Sequence, residues 1–194
     1  MPSKKPVAAP IADIQDKTKN NRIKYGDIRF VKVRAKFTRP FMGGEPTGHD
    51  DPVQALYREG NTFVIPGRNL RAMLRDGSKF IDRSGTETKS ISTQRAPIFL
   101  KGAKVERVTN LPILSATGGK GILNVEVIGK GAEFEVVFAV PTKAISLADF
   151  QKLLYACGKW IGVGAYRKGD FGLFDILTIK DVTDIMHKEF TESL

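Results

Sequence analysis

The stretch of this sequence with the most potential for chemistry is GKWIGVGAYRKGDFGLFDI, residues 158 to 176. It holds five glycines and three basic residues between a helix pattern and a strand pattern. Glycines let another molecule approach the backbone and basic side chains attract phosphate, so the stretch could form an anion-binding cradle. Tyr166 would offer its ring for base stacking. The candidate cradle residues are Lys159, Gly162, Gly164, Tyr166, Arg167, Lys168 and Gly169.

Two nucleotide-binding motifs do not fit this stretch. A dinucleotide-binding turn needs G-x-G-x-x-G between a strand and a following helix, whereas Gly162, Gly164 and Gly169 have another spacing and follow a helix. A P-loop needs Lys and then Ser or Thr after its last glycine, but Asp170 follows Gly169. A flexible turn with incidental charge is as compatible with the spacing as an anion cradle.

A second candidate site is the acidic stretch GHDDP, residues 48 to 52. Asp50 could recruit Mg²⁺ or orient a ribose hydroxyl, and His49 could donate or accept a proton, which are roles that a cleavage reaction would use. The same five residues are also typical of a turn, in which Asp50 or Asp51 would cap the turn. No Ser/His/Asp or Cys/His pairing can be argued from one cysteine and two histidines. No cofactor is required by any motif, and Mg²⁺ is expected only if cleavage occurs.

Charge points to a polyanionic partner. The net charge is +10, and residues 60 to 130 hold 12 Lys/Arg against 5 Asp/Glu, which is +7 of that total. No apolar run reaches 18 residues, so no transmembrane helix and no membrane partner are expected. The first residues lack the apolar region of a signal peptide, and the single cysteine, Cys157, excludes an intramolecular disulfide. A cytoplasmic protein of a bacterium or of a virus-infected bacterial cell is expected.

Periodicity predicts the elements that position these residues. Alternation predicts strands at 27–37 and 133–141. A 3.6-residue period predicts helices at 68–81 and 146–160, the second with Ser146 as N-cap. Other segments are predicted as loops at 41–52 and 82–95, as extended pieces at 62–65, 96–108, 121–130 and 171–180, and as a short last helix at 182–190.

The order of these elements predicts an α+β fold. Without the middle extension it reads strand, helix, strands, helix, strand, which suits a ferredoxin-like (RRM-like) antiparallel sheet with two helices on one face. The other sheet face would be free for single-stranded nucleic acid. The predicted domains are a flexible basic N-terminal extension at 1–26, a ferredoxin-like domain at 27–180 with a thumb-like insertion at about 82–125, and a C-terminal segment at 181–194. Trp160 and Phe171 are expected to be core anchors.

Three stretches together resemble a known family. The stretch at 158–176 resembles the glycine-rich loop of the repeat-associated mysterious protein (RAMP) superfamily. MGGEPTGHDDPV at 42–53 resembles the Gly-Gly and Asp-x-Pro-Val loop of CRISPR effector backbone subunits, especially those of type III. FVIPGRNLRAMLR at 63–75 resembles the Ile-Pro-Gly-x-x-Leu-Lys/Arg start of their first helix. The resemblance covers roughly residues 27 to 180, and a stand-alone or virus-encoded relative fits it too.

The resemblance implies a set of RNA-binding residues and partners. Gly43 and Gly44 would let their loop approach the RNA strand, and the Gly-rich loop would hold the backbone of the same RNA. Asp50 would match the carboxylate that supports metal-dependent cleavage in type III backbone subunits. Single-stranded RNA, further copies of the chain along that RNA, and other effector-complex subunits are the implied partners. The residues of the first helix that would face RNA phosphates are Arg68, Asn69, Arg71 and Arg75.

The resulting hypothesis is a single-stranded RNA-binding protein without sequence preference that oligomerises along RNA. Three alternatives stay open at this point. The chain could be a metal-dependent endoribonuclease acting at Asp50, a protein that mimics or caps a CRISPR complex, or a single-stranded DNA-binding protein. The sequence does not indicate whether the ligand is RNA or DNA, because it does not reveal which residues would contact a ribose 2′-hydroxyl.

Overall fold

The computed structural model describes residues 25–46, 53–81, 87–114, 120–167 and 170–192, and these form a mixed α+β fold. Within these ranges there are three α-helices, α1 Gly67–Gly77, α2 Leu147–Ala156 and α3 Thr183–Glu192. Short 3₁₀ helices lie at Tyr25–Asp27, Ser78–Ile81 and Glu87–Ser90, and a π-helix follows α2 at Cys157–Ile161. The strands are β1 Ile28–Phe37, β2 Phe41–Met42, β3 Glu45–Pro46, β4 Val53–Ala55, β5 Arg58–Glu59, β6 Thr62–Ile65, β7 Ser92–Thr93, β8 Ala96–Phe99, β9 Val105–Leu114, β10 Lys120–Ile128, β11 Glu133–Pro141 and β12 Phe174–Asp181.

The larger of two sheets is antiparallel throughout its described pairs. Its strands follow the order β12-β1-β11-β8-β6-β5, and β7 also pairs with β11. β1 and β11 lie beside each other in a register that places Val33 opposite Val136. Every second residue is buried from Val31 onward in β1 and from Phe134 onward in β11, which confirms the strands predicted from alternation.

Two helices cover one face of the large sheet. α1 buries Leu70, Met73 and Leu74, and α2 buries Phe150 and its neighbours Leu153 and Leu154 in the same core cluster as the inward residues of β1 and β11. The predicted N-cap of α2 is confirmed, because the Asp149 amide donates to the Ser146 hydroxyl at 3.1 Å. The chain then widens into the π-helix, which buries Cys157 between the two helices, with its Sγ 3.5 Å from the Met73 carbonyl oxygen.

The opposite face of the large sheet was expected to be free for nucleic acid, and α3 covers part of it. α3 packs on this face, where the His187 ring meets Phe30 edge-on at 5.8 Å between centroids. The basic residues beside it are already neutralised. Lys32 pairs with Glu135 at 2.7 Å, and Arg34 pairs with Glu133 at 2.5 Å. Because these cations have carboxylate partners, this face offers less uncompensated charge to phosphate than the alternating sequence of β1 indicates.

A smaller sheet stands beside the large one and includes part of the predicted insertion. Its strand order is β2-β10-β4-β3, with β9 pairing β10, and only the β10–β4 pair is parallel among the described pairs. The loop predicted at 41–52 was therefore wrong in part, because β2 and β3 are short strands that pair with β10 and β4. The interval 82–125 is divided, since β7 and β8 lie in the large sheet while β9 and β10 form a hairpin of the small sheet. The division into domains itself stays a prediction.

The described part of the chain holds no helix that is both long and apolar enough to cross a membrane. The predicted N-terminal extension lies, up to residue 24, outside the described residues.

Candidate nucleic-acid interface

The outer face of α1 carries a row of exposed arginines. Arg68, Arg71 and Arg75 recur at intervals of three and four, so their side chains leave the helix on one side. The opposite side of the helix holds the buried Leu70 and Met73, which fix the orientation of the helix on the sheet. Packing of the apolar side therefore determines that the arginines face solvent.

These arginines line a groove beside α1. The groove has a volume of about 320 Å³, and its other wall includes Thr88 and Lys89 from the 3₁₀ helix Glu87–Ser90. We call Arg68, Arg71, Arg75 and Lys89 the α1 basic groove. Within the described residues, Arg68 and Arg71 have no carboxylate partner, whereas Arg75 Nε lies 3.3 Å from Asp76 Oδ1. Among the described residues, two guanidinium groups of the groove therefore have no carboxylate partner, and such groups bind phosphate oxygens in a two-pronged geometry.

Tyr57 connects the segment of Gly43 and Gly44, here called the Gly-Gly segment, to Arg68 of this groove. The Tyr57 hydroxyl donates to the Gly44 carbonyl oxygen at 2.7 Å and accepts from Arg68 Nη2 at 2.5 Å. The Gly43 amide donates to the Glu126 carbonyl oxygen at 3.0 Å, and a Cβ at Gly43 would overlap the Ala55 backbone. Gly43 thus serves the close approach of three backbone segments, one of which leads to α1, whereas a Cβ at Gly44 would lie 3.1 Å from the Ala165 Cβ of the Gly-rich loop.

The Gly-rich loop packs against the Gly-Gly segment. Gly164 has φ +102°, and a Cβ at this position would lie 2.6 Å from the Phe41 ring. Gly162 has φ +72°, and a Cβ there would lie 2.5 Å from the Phe171 carbonyl oxygen. The Ala165 amide donates to the Met42 carbonyl oxygen at 3.3 Å. These two glycines are required by backbone conformation and by close protein contacts. An anion cradle at Gly162 and Gly164 stays a prediction.

An ion pair ties the Gly-rich loop to α1. Arg167 Nη2 lies 2.7 Å from Asp76 Oδ2, and the Arg167 side chain is 22% exposed. Its Nη1 is buried and has no hydrogen-bond partner in the described residues. Since Asp76 also meets Arg75, one carboxylate holds two arginines at the C-terminal end of α1. Three stretches distant in sequence, around Gly44, α1 and Arg167, are thereby joined into one surface.

Other predicted site residues have different surroundings. Lys159 Nζ pairs with Asp175 of β12 at 2.7 Å. The Tyr166 ring lies 6.0 Å from that of Phe171 and packs on the small cluster that includes Met42, so packing takes part of its surface. Trp160 is 71% exposed, and its expected role as a core anchor was wrong because the π-helix turns its side chain outward.

Some predicted residues have no described counterpart in this surface. Asp50 and His49, together with Lys168 and Gly169, lie outside the described residues. Asn69 lies in the first turn of α1, where its backbone amide donates to the Pro66 carbonyl oxygen at 2.9 Å. In the described part of the chain, no group of three or more His, Cys, Asp or Glu side chains could hold a metal ion. Cleavage at Asp50 stays a prediction.

Three residues of this surface were missed by sequence reasoning. Tyr57 stands beside Arg58, and an aromatic next to a basic residue was an available signal for nucleic-acid binding. Asp76 and Lys89 gave no such signal. Asp76 looks like an ordinary helix residue and Lys89 lies in a stretch predicted as a loop. Asp76 forms an ion pair with Arg167, which lies 91 positions away in the sequence. Lys89 reaches the groove because the chain after α1 passes beside that helix.

No protein-family model matches the sequence, and no curated protein matches it either. The fold has a counterpart among solved structures. A chain in the cryo-electron microscopy structure of the Type III-B Cmr-beta bound to cognate target RNA is similar, with a TM-score of 0.51 and 12% sequence identity. The match covers 88% of this chain and 66% of that chain, so this chain spans just under two thirds of its length. At this identity the likeness shows a shared fold.

Proposed function

We propose that this protein binds single-stranded RNA without sequence preference, with the α1 basic groove as the main phosphate-binding surface. The observation that carries the proposal is the row of guanidinium groups in this groove, two of which have no carboxylate partner among the described residues. Phosphates of one strand are spaced regularly, as the arginines on one side of a helix are. Contacts of this kind hold a strand without reading its bases.

Fold topology supports a ferredoxin-like core and a relationship to the RAMP superfamily. The strands β12-β1-β11-β8 lie in this order, α1 connects β1 toward β8, and α2 connects β11 to β12. The similar solved chain belongs to a structure that contains target RNA, which favours RNA over DNA as the ligand. Self-association along RNA and contact with other effector-complex subunits in the cytoplasm are further parts of this proposal.

The test is a binding titration of charge-matched variants. Arg68, Arg71 and Arg75 are changed together to Ala, and a control variant changes Lys143, Lys152 and Lys180 to Ala. The control residues lie on the β11–α2 connection, on α2 and on β12, and their removal lowers the net charge by the same three units. Fluorescence anisotropy with a labelled oligouridylate gives the affinity at several salt concentrations.

We expect the arginine variant to bind more than tenfold more weakly. The slope of log affinity against log salt should become shallower by about 0.7 for each phosphate that the variant no longer neutralises. The lysine control should stay within about threefold of the wild type. Equal decreases in both variants would mean that net charge alone attracts RNA and that the groove is not the site. A wild-type chain with a salt slope near zero would reject the proposal, and tighter binding of an oligothymidylate would assign the groove to DNA.

A further inference from the structure

A second cavity lies at the N-terminal end of α1, next to the α1 basic groove. Its volume is about 410 Å³, within the range of cavities that hold small organic ligands. Tyr57 and Glu59 come from the chain around β5, Val64 and Pro66 from the end of β6, and Arg68 from α1. Apolar, aromatic and cationic groups thus meet in one cavity.

The cations of this cavity differ in availability. Arg58 lies 3.3 Å from Glu126 and its guanidinium stacks over the Phe63 ring at 4.7 Å. Arg95 forms an ion pair with Glu59. Arg68 has no carboxylate partner among the described residues, and it donates a hydrogen bond to the Tyr57 hydroxyl. Arg68 is therefore the group in this cavity with charge to offer an incoming anion.

The aromatic ring of the cavity is held in place before any ligand arrives. The Tyr57 hydroxyl donates to the Gly44 carbonyl oxygen and accepts from Arg68, whose guanidinium lies over the ring with its carbon 5.1 Å from the ring centroid. Val64 and Pro66 supply an apolar wall. A fixed ring beside an apolar wall and a guanidinium matches a flat heteroaromatic ring with an anionic group attached. A nucleotide has this chemistry.

We propose that this cavity takes one nucleotide of the bound strand, with its base against Tyr57 and its phosphate on Arg68. The inference rests on the proposed function and adds a base-stacking site to it. Continuity favours a nucleotide of the strand over a free one, because Arg68 lines both the cavity and the α1 basic groove. One guanidinium can therefore hold the phosphate that links the base in the cavity to the strand along α1.

The test separates the ring of Tyr57 from its hydroxyl. The variants are Tyr57→Leu, which removes both, Tyr57→Phe, which keeps the ring, and Tyr155→Leu, which removes an exposed tyrosine of α2 as a matched control. Affinity for labelled oligouridylate and its salt dependence are measured for each. Tyr57→Leu should bind about tenfold or more weakly, since that is the usual contribution of one stacked base. Tyr57→Phe should weaken binding by less than about threefold, the control should match the wild type, and all salt slopes should stay equal.

Wild-type affinity in Tyr57→Leu, or equal decreases in Tyr57→Leu and Tyr57→Phe, would overturn the stacking site and leave the α1 basic groove in place. Absence of salt-dependent RNA binding by the wild type would instead reject the proposed function and this site with it. A photocrosslink with 4-thiouridine RNA makes the test independent of variant folding. We expect the adduct on Tyr57 of the wild-type chain, and adducts confined to residues outside the cavity would contradict the proposal.

Discussion

Two ion pairs flank the Gly-rich loop, and they differ in how much water reaches them. Arg167 and Asp76 are 22% and 38% exposed, whereas Lys159 and Asp175 are 64% and 49% exposed. Water screens the second pair more strongly, and its lysine has more rotamer freedom to lose. The Arg167 pair is also the one that joins the loop to α1, so its removal leaves a partly buried guanidinium without a counter-ion.

Asp76→Asn should therefore lower the free energy of unfolding by roughly 1–2 kcal/mol. Asp175→Asn, the matched control at the other end of the loop, should change it by about 0.5 kcal/mol or less. Urea unfolding of both variants measures the difference. Equal effects would show that the Asp76 pair is as solvent-screened as the exposed one and does not fasten the loop.

Gly164 is a glycine of this surface whose replacement should cost stability through both a close contact and its backbone conformation. A methyl group there would lie 2.6 Å from the ring of Phe41, which is fully buried, and φ is +102°. We expect Gly164→Ala to lower the free energy of unfolding by about 2–4 kcal/mol. Gly129→Ala is the control, because its nearest atom is at 3.5 Å and its φ lies outside the left-handed region, so a change within about 0.5 kcal/mol is expected. Thermal melts compare the two, and similar melting temperatures would contradict this account of the loop.

At the scale of elements, α3 depends on one carboxylate at its start. Asp181 accepts from the Thr183 hydroxyl and, at 2.9 Å, from the Thr183 amide. The side-chain hydrogen bond from Thr183 is the main cause that lowers the pKa of Asp181 below its ordinary 3.8. A lowered pKa in the folded state means that this stabilisation is fully present above pH 3.8 and is lost as pH falls through the lower value.

Acidification from pH 6 to a pH below the lowered, folded-state pKa of Asp181 should therefore loosen α3 before the large sheet unfolds. Hydrogen exchange of the α3 amides measures this, and protection should fall in α3 while β1 and β11 keep theirs. Asp181→Asn should lower α3 protection already at pH 6, by about 1 kcal/mol or less, and should weaken its pH dependence. If α3 in the variant responds to acid as the wild type does, another group controls the docking of this helix.

Predictability from the sequence differed between long and short elements. β11 and α2 were predicted well because each carries a full period of buried residues, every second or every third to fourth position. β2 and β3 were missed because two residues show no period, and β2 pairs with β10, which lies some 80 positions further along the chain. The family resemblance implied Arg68 as an RNA contact, which stays a prediction, whereas the Arg167–Asp76 pair required knowledge of the fold.

At the scale of the whole described molecule, the pairing of charges differs between the two sides of the large sheet. On the side of α3, Lys32 and Arg34 are neutralised by glutamates of the neighbouring strand β11. On the side of α1, Arg68 and Arg71 have no such partner in the described part of the chain. Under the proposed function, the side of α1 would therefore attract a polyanion more strongly than the paired Lys32 and Arg34 do.

The labelling rate of the buried cysteine can report how often the folded core opens. Cys157 is the one cysteine of the sequence and is fully buried between α1 and α2, and burial raises the pKa of its thiol. Alkylating reagents attack the thiolate, so labelling has to await an opening that exposes the residue to water. A strand held on α1 should make such openings rarer. With oligouridylate at a hundredfold excess over its Kd, labelling by iodoacetamide should slow by about 100-fold if opening releases the strand. An unchanged labelling rate would mean that the two helices part without disturbing the bound RNA.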